Sequence, residues 1–75
     1  MSINPKEGEY FKAEYPLKPW LVYGQCLKSG TDQLVARCYS EMCPDGESGF
    51  VPLSVIFAII SEDEFQNAKR DGWPR

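Results

Sequence analysis

The sequence predicts an α+β or mainly β fold: a small, strongly bent antiparallel sheet or partial barrel of about five short strands, with one C-terminal helix. Three observations lead there. Apolar and polar residues alternate with period two around Phe11, Ala13 and Tyr15, and residues 33–39 divide into two strand faces. Two clusters of turn-forming residues, Lys28-Ser29-Gly30-Thr31-Asp32 and Pro44-Asp45-Gly46, separate apolar stretches. A run of six apolar residues, 55–60, passes directly into Ser61-Glu62-Asp63-Glu64-Phe65, a helix-start pattern.

Taken in order, residues 1–8 are polar, lack periodicity and read as a loose arm. Residues 9–15 form a first half-buried strand with Phe11, Ala13 and Tyr15 on one face. Pro16 and Pro19 bracket a connection. Residues 20–27 form a second strand, with Trp20, Val22, Gly24 and Cys26 on one face and Leu21, Tyr23, Gln25 and Leu27 on the other. Gly24 in mid-strand marks a bulge or a close backbone contact. Residues 33–39 pair with this strand as an antiparallel hairpin, placing Leu34, Ala36 and Cys38 opposite Val35, Arg37 and Tyr39. Pro44-Asp45-Gly46 then turns the chain into a short strand over residues 48–51.

The β-branched run 55–60 reads as a strand buried on both faces. Ser61 offers a hydroxyl to the N–H three residues on, and Glu64 is placed to reach back, as in a capping box. Ile60 and Phe65 flank the cap as a hydrophobic staple. The helix covers residues 62–71, with Glu62, Asp63 and Glu64 at its positive end and Lys69 and Arg70 at its negative end. Gly72 suits the left-handed position after the helix, and Pro74 stops continuation. One long helix over residues 53–69 is the competing assignment; it would be apolar all round for two turns and rich in β-branched residues.

Gly49-Phe50-Val51-Pro52 ahead of a further strand resembles the short strand, turn and last strand of SH3-like barrels. The resemblance covers those residues, and the acidic loop that such domains carry between their first two strands has no counterpart here. It implies an SH3-like partial barrel as one form of the sheet.

Seventy-five residues make one domain, 1–75, and a chain of this length buries only about 60% of its unfolded surface. An apolar fraction of 43% is enough for a core. No stretch approaches the ~18 apolar residues of a membrane span, and the N-terminus lacks a signal-peptide pattern, so a cytoplasmic protein is expected. A net charge of −3 with scattered basic residues argues against direct binding to nucleic acid.

The chain holds three cysteines and no histidine. A closed zinc site needs four Cys or His ligands, so no metal and no cofactor are expected, and the cysteines read as thiols. Without His, neither a Ser-His-Asp nor a Cys-His arrangement can form within the chain. Adjacent carboxylates in Glu62-Asp63-Glu64 point in different directions and serve the helix dipole.

The expected function is therefore a non-enzymatic protein-binding domain that occupies a partner's surface. Aromatic side chains are large and rigid with polar edges, and Tyr23 and Tyr39, on adjacent strands, fall on one face. Glu41, Asp45 and Glu47 would form an acidic rim on the neighbouring loop. A small acidic chain beginning at Met1 fits an inhibitor or accessory protein of a basic or nucleic-acid-handling complex, such as a phage directs at its host, or an immunity protein for a basic toxin. A homo-oligomerising structural subunit, pairing through a strand edge, is the alternative. A small enzyme or metal-binding protein is a further one, which the missing His disfavours. The protein is expected as a monomer or small homo-oligomer.

Overall fold

The computed structural model describes residues 3–15 and 21–74, in which five strands form one antiparallel sheet and a single α-helix follows the last strand. The strands are β1 (Tyr10–Glu14), β2 (Leu21–Lys28), β3 (Gln33–Ser40), β4 (Cys43–Pro52) and β5 (Ile56–Ile60), and the helix α1 is Glu62–Arg70. Their order across the sheet is β4-β3-β2-β1-β5. The short strand expected over residues 48–51 is the end of the ten-residue β4; a 3-10 turn (Leu53–Val55) follows, and β5 is the last strand. The Pro16–Pro19 connection and the expected place of Trp20 on the second strand lie outside the described residues.

Strand alternation builds two apolar layers, one on each face of the sheet. The inner core joins Phe11, Ala13, Cys26, Leu34, Ala36, Val51, Leu53 and Ile56. Phe11 pairs with Gly24 across the β1–β2 ladder. A Cβ on Gly24 would meet the Phe11 ring at 2.4 Å, so the mid-strand glycine is a close contact in which an aromatic ring lies against bare backbone. The outer core joins Tyr23, Ile60, Phe65, Ala68 and Trp73, with Tyr10, Leu21 and Tyr39 packed against it. Helix α1 and the residues after it cover this face.

Three local expectations are corrected. The arm is not loose over residues 3–8. Pro5 is fully buried, Ile3 packs on the inner core, and the Gly8 N–H donates to the Cys26 carbonyl at 2.8 Å. The Cys26 N–H donates in turn to the Glu9 carbonyl at 2.9 Å, so the segment prolongs the β1–β2 pairing. The run 55–60 is not a doubly buried strand. Val55 belongs to the 3-10 turn, and among the described residues β5 is an edge pairing only with β1, with Phe57 48% and Ile59 45% exposed. A continuous apolar run cannot reveal that one neighbour is missing.

Pro44-Asp45-Gly46, thirdly, is not the turn. The chain reverses at Glu41-Met42, and β4 begins at Cys43. Cys38 pairs with Glu47 and Ser40 with Cys43, so Pro44, Asp45 and Gly46 all oppose Tyr39 alone. This is an enlarged β-bulge, with Gly46 at φ 88° lying against the Tyr39 ring. Its carbonyls are satisfied from outside the ladder. Arg37 Nη2 donates to the Asp45 oxygen at 3.0 Å, and Trp73 Nε1 to the Pro44 oxygen at 3.1 Å.

At the strand–helix junction the Ser61 cap forms as the sequence implies, but the Glu64 carboxylate turns to β1 and not back to the Ser61 N–H, and the helix ends at Arg70 with Asp71 as its C-cap. The Ser61 Oγ accepts from the Glu64 N–H at 3.1 Å. The Glu64 carboxylate is engaged by Lys12 Nζ at 2.7 Å, which ties the first helical turn to β1 and raises the Lys12 pKa, chiefly through that hydrogen bond. Gly72 takes φ 83°; its N–H donates to the Lys69 carbonyl at 3.2 Å, and the Trp73 N–H to that of Ala68 at 2.8 Å. That pair of bonds is a Schellman motif. Replacing Ser61 by alanine is expected to cost about 1 kcal/mol through the lost cap. A urea midpoint equal to wild type would show that another group takes over the Glu64 N–H.

Candidate functional site

The sequence-predicted surface divides: Tyr23 is buried, whereas Tyr39 is half-buried and borders the same groove as Glu47. Tyr23 and Tyr39 are direct register partners on β2 and β3, and so share a face as expected. That face is not free. Trp73 stacks on Tyr39 at a centroid distance of 4.8 Å and lies 5.4 Å from the Tyr23 ring. Phe65 meets Tyr39 edge-on at 5.5 Å. The Tyr23 hydroxyl donates to the Pro74 carbonyl at 2.9 Å, and only 5% of Tyr23 is exposed. The chain's own C-terminal residues fill the surface that Tyr23 was expected to offer a partner. A covered aromatic face and a free one look alike in a strand pattern; the Trp73 that covers this one comes after the helix, where no periodicity places it.

The acidic residues are exposed. Glu41 is in the β3–β4 turn, Asp45 in the bulge and Glu47 on β4, rather than together on a loop. Glu47 lines an open groove of about 530 Å³ beside the β3–β4 hairpin. Its other walls include Tyr15, Val22, Cys38, Met42, Cys43 and Phe50. Met42 is 74% and Phe50 68% exposed, the two most exposed large apolar side chains among the described residues. Phe50 also borders a second groove, of about 620 Å³, along residues 28–35. It therefore stands as a ridge between two hollows.

Sequence reading missed Met42 and Phe50. The available signal was the company Phe50 keeps. Glu47, Ser48 and Gly49 precede it, and a strand of such small and polar residues has little apolar surface with which to cover an aromatic ring.

Comparison with known proteins finds no matching family model, no matching curated protein and no matching solved structure. The site is accordingly read from its own chemistry. Among the described residues no three His, Cys, Asp or Glu side chains come together as metal ligands, and no helix is long and apolar enough to cross a membrane.

Within the groove, burial pushes the Cys38 thiol up to about 11 from an ordinary 9.0, helped by neighbouring Cys43 and Glu47. The folded state thus favours the protonated thiol more than the unfolded chain does. The stability this contributes is complete below pH 9.0 and is lost as pH rises from there toward about 11. A Cys38→Ala variant is expected to lose part of the fall in urea midpoint that wild type shows across that window. Identical pH profiles would mean that the thiol is as well solvated in the folded chain as in the unfolded one.

Proposed function

We propose that this chain is a protein-binding domain without catalytic activity, and that it acts by occupying a partner's surface with the groove beside the β3–β4 hairpin. One observation carries the reading: Met42 and Phe50 stand largely exposed at the margin of a groove lined by Tyr15, Val22, Cys43 and Val51. A single exposed apolar side chain is ordinary on a protein surface. Two of them flanking a concave apolar lining are what an interface anchor needs.

The charge around the groove supports a partner with a basic surface. Glu41, Asp45 and Glu47 are exposed on the same hairpin, and the chain carries −3 overall. Arg37, the nearby cation on β3, has its guanidinium about 5.9 Å from the Tyr39 ring and bonded to the bulge. A nucleic-acid-handling protein has such a surface, and a small acidic domain lodged on it would block access as an inhibitor does.

The test is capture of partners from the native cell by tagged wild-type protein, then quantitative binding with variants. Phe50→Ala is expected to weaken binding by about 2 kcal/mol or more. Glu47→Lys is expected to slow association and flatten its salt dependence, with the fold unchanged by circular dichroism. Tyr23→Phe keeps the buried ring and serves as a control. Wild-type affinity in both Phe50→Ala and Met42→Ala would remove the groove from the interface.

A further inference from the structure

Among the six glycines, Gly49 is the one without an internal reason. Gly24 lies under the Phe11 ring, Gly30 against the Gln33 carbonyl and Gly46 against Tyr39, while Gly8 and Gly72 take positive φ. At Gly49 the backbone is in the ordinary strand region, and an added Cβ would meet nothing within 4 Å. A mid-strand glycine costs about 0.5–1 kcal/mol relative to alanine, so its presence here calls for something outside the chain. Glycine in a strand interior is found where another backbone approaches closely.

The surroundings of Gly49 fit such an approach. Among the described residues β4 is an outermost strand whose ladder runs only to β3. From Cys38↔Glu47 to Gln33↔Pro52 the register is regular, which gives a straight free edge over residues 47–51. The bulge at Pro44, Asp45 and Gly46 and the ring of Pro52 bound that edge at its two ends. Glu47, Ser48, Gly49 and Phe50 are four consecutive exposed residues. The opposite sheet edge, β5, has its own irregularity where Phe57 is skipped between Lys12↔Ala58 and Ala13↔Ile56.

We propose that the outer edge of β4 over residues 47–51 is a strand-addition site for an extended partner segment that alternates basic and apolar residues. The proposal rests on the groove reading above and specifies the form of the ligand. An added strand would bond its backbone to the free edge, with Gly49 leaving room for close approach. Glu47, Ser48, Gly49 and Phe50 also line the apolar groove, so every second side chain of the added strand has a recess to enter. Glu41, Asp45 and Glu47 favour lysine or arginine in that strand. A second copy of this chain would instead bring the same three acids to the interface twice.

The probe is a fluorescent peptide of alternating lysine and valine, used with the full chain. It is expected to bind more weakly as salt rises and to protect alternate amides of residues 47–51 from hydrogen exchange. Gly49→Ile should lower affinity by about tenfold or more without lowering the thermal midpoint, because the fold has space for the side chain. Two further peptides carry N-methyl groups on every second residue, one in each phase. One phase should lose binding and the other keep it. No binding at ~1 mM peptide, equal binding of both N-methylated forms, or wild-type affinity in Gly49→Ile would each overturn strand addition. So would a dimer of the protein alone that Gly49→Ile dissociates. Partner capture that survives Gly49→Ile but is lost in Phe50→Ala would leave the groove reading standing and remove only the added strand.

Discussion

Replacing Trp73 with alanine is expected to lower the unfolding free energy by about 3–5 kcal/mol. The ring is 1% exposed and sits at the centre of the outer core, 4.8 Å from Tyr39, 5.2 Å from Phe65 and 5.4 Å from Tyr23. Removing it opens a cavity between sheet and helix and leaves the Pro44 carbonyl of the bulge without its indole donor. The backbone gives nothing back, because alanine at φ 59° bears the same left-handed cost as tryptophan, about 1–2 kcal/mol. Against a total stability of about 5–15 kcal/mol, a loss of that size brings so small a domain close to unfolding. Trp73→Phe separates the contributions, since it keeps an aromatic ring and deletes the hydrogen bond. Urea melts followed by far-UV circular dichroism measure both. A loss under about 1 kcal/mol for Trp73→Ala would show that the ring does not fill this site.

Phe11→Ala is expected to cost a similar amount, about 3–5 kcal/mol. Phe11 is fully buried on β1, between two strands, with its ring against the backbone at Gly24. Glycine has no side chain that could swing into the vacated space, so the cavity persists. Phe57→Ala deletes the same atoms from β5, where the ring is 48% exposed, and should cost about 1 kcal/mol or less. The comparison tests the burial of the two rings directly. Equal losses at the two positions would mean that the Phe57 ring is as buried as that of Phe11, and that its face of β5 is covered.

These two phenylalanines also show how far the sequence carries. Alternation around Phe11 assigned its face correctly, because a period of two survives wherever one side of a strand is wet. The unbroken run through Phe57 gave no such contrast, and only the ladder count shows β5 to be an edge. Helix boundaries and the Ser61 cap were legible because Ser61 and Gly72 act on backbone groups within a few residues of themselves, whereas the pairing of the Glu64 carboxylate with Lys12 of β1 was not. Pro44-Asp45-Gly46 was legible as a break in regular pairing but not as a bulge, since turn and bulge use the same residue types. For the candidate site, the pairing of Tyr23 with Tyr39 was local and came out right. The burial of Tyr23 and the half-burial of Tyr39 were not local; they depend on Trp73, 34 residues beyond Tyr39 by the numbering, and on the path the helix takes. Phe50 was overlooked because exposure of an aromatic ring is decided by which strands lack a neighbour.

The bulge on β4 has a bearing on how this chain can change length. Three residues there stand opposite one, yet the strands remain paired on either side. Cys43 before the bulge and Glu47 after it both border the groove. A bulge takes up unpaired residues without breaking the ladder that flanks it, as the single skipped Phe57 shows on β5. Residues gained or lost between Cys43 and Glu47 would be absorbed in the same way, so descendants of this sequence that keep the groove are expected to change length at the bulge and not along the regular ladder of residues 47–52.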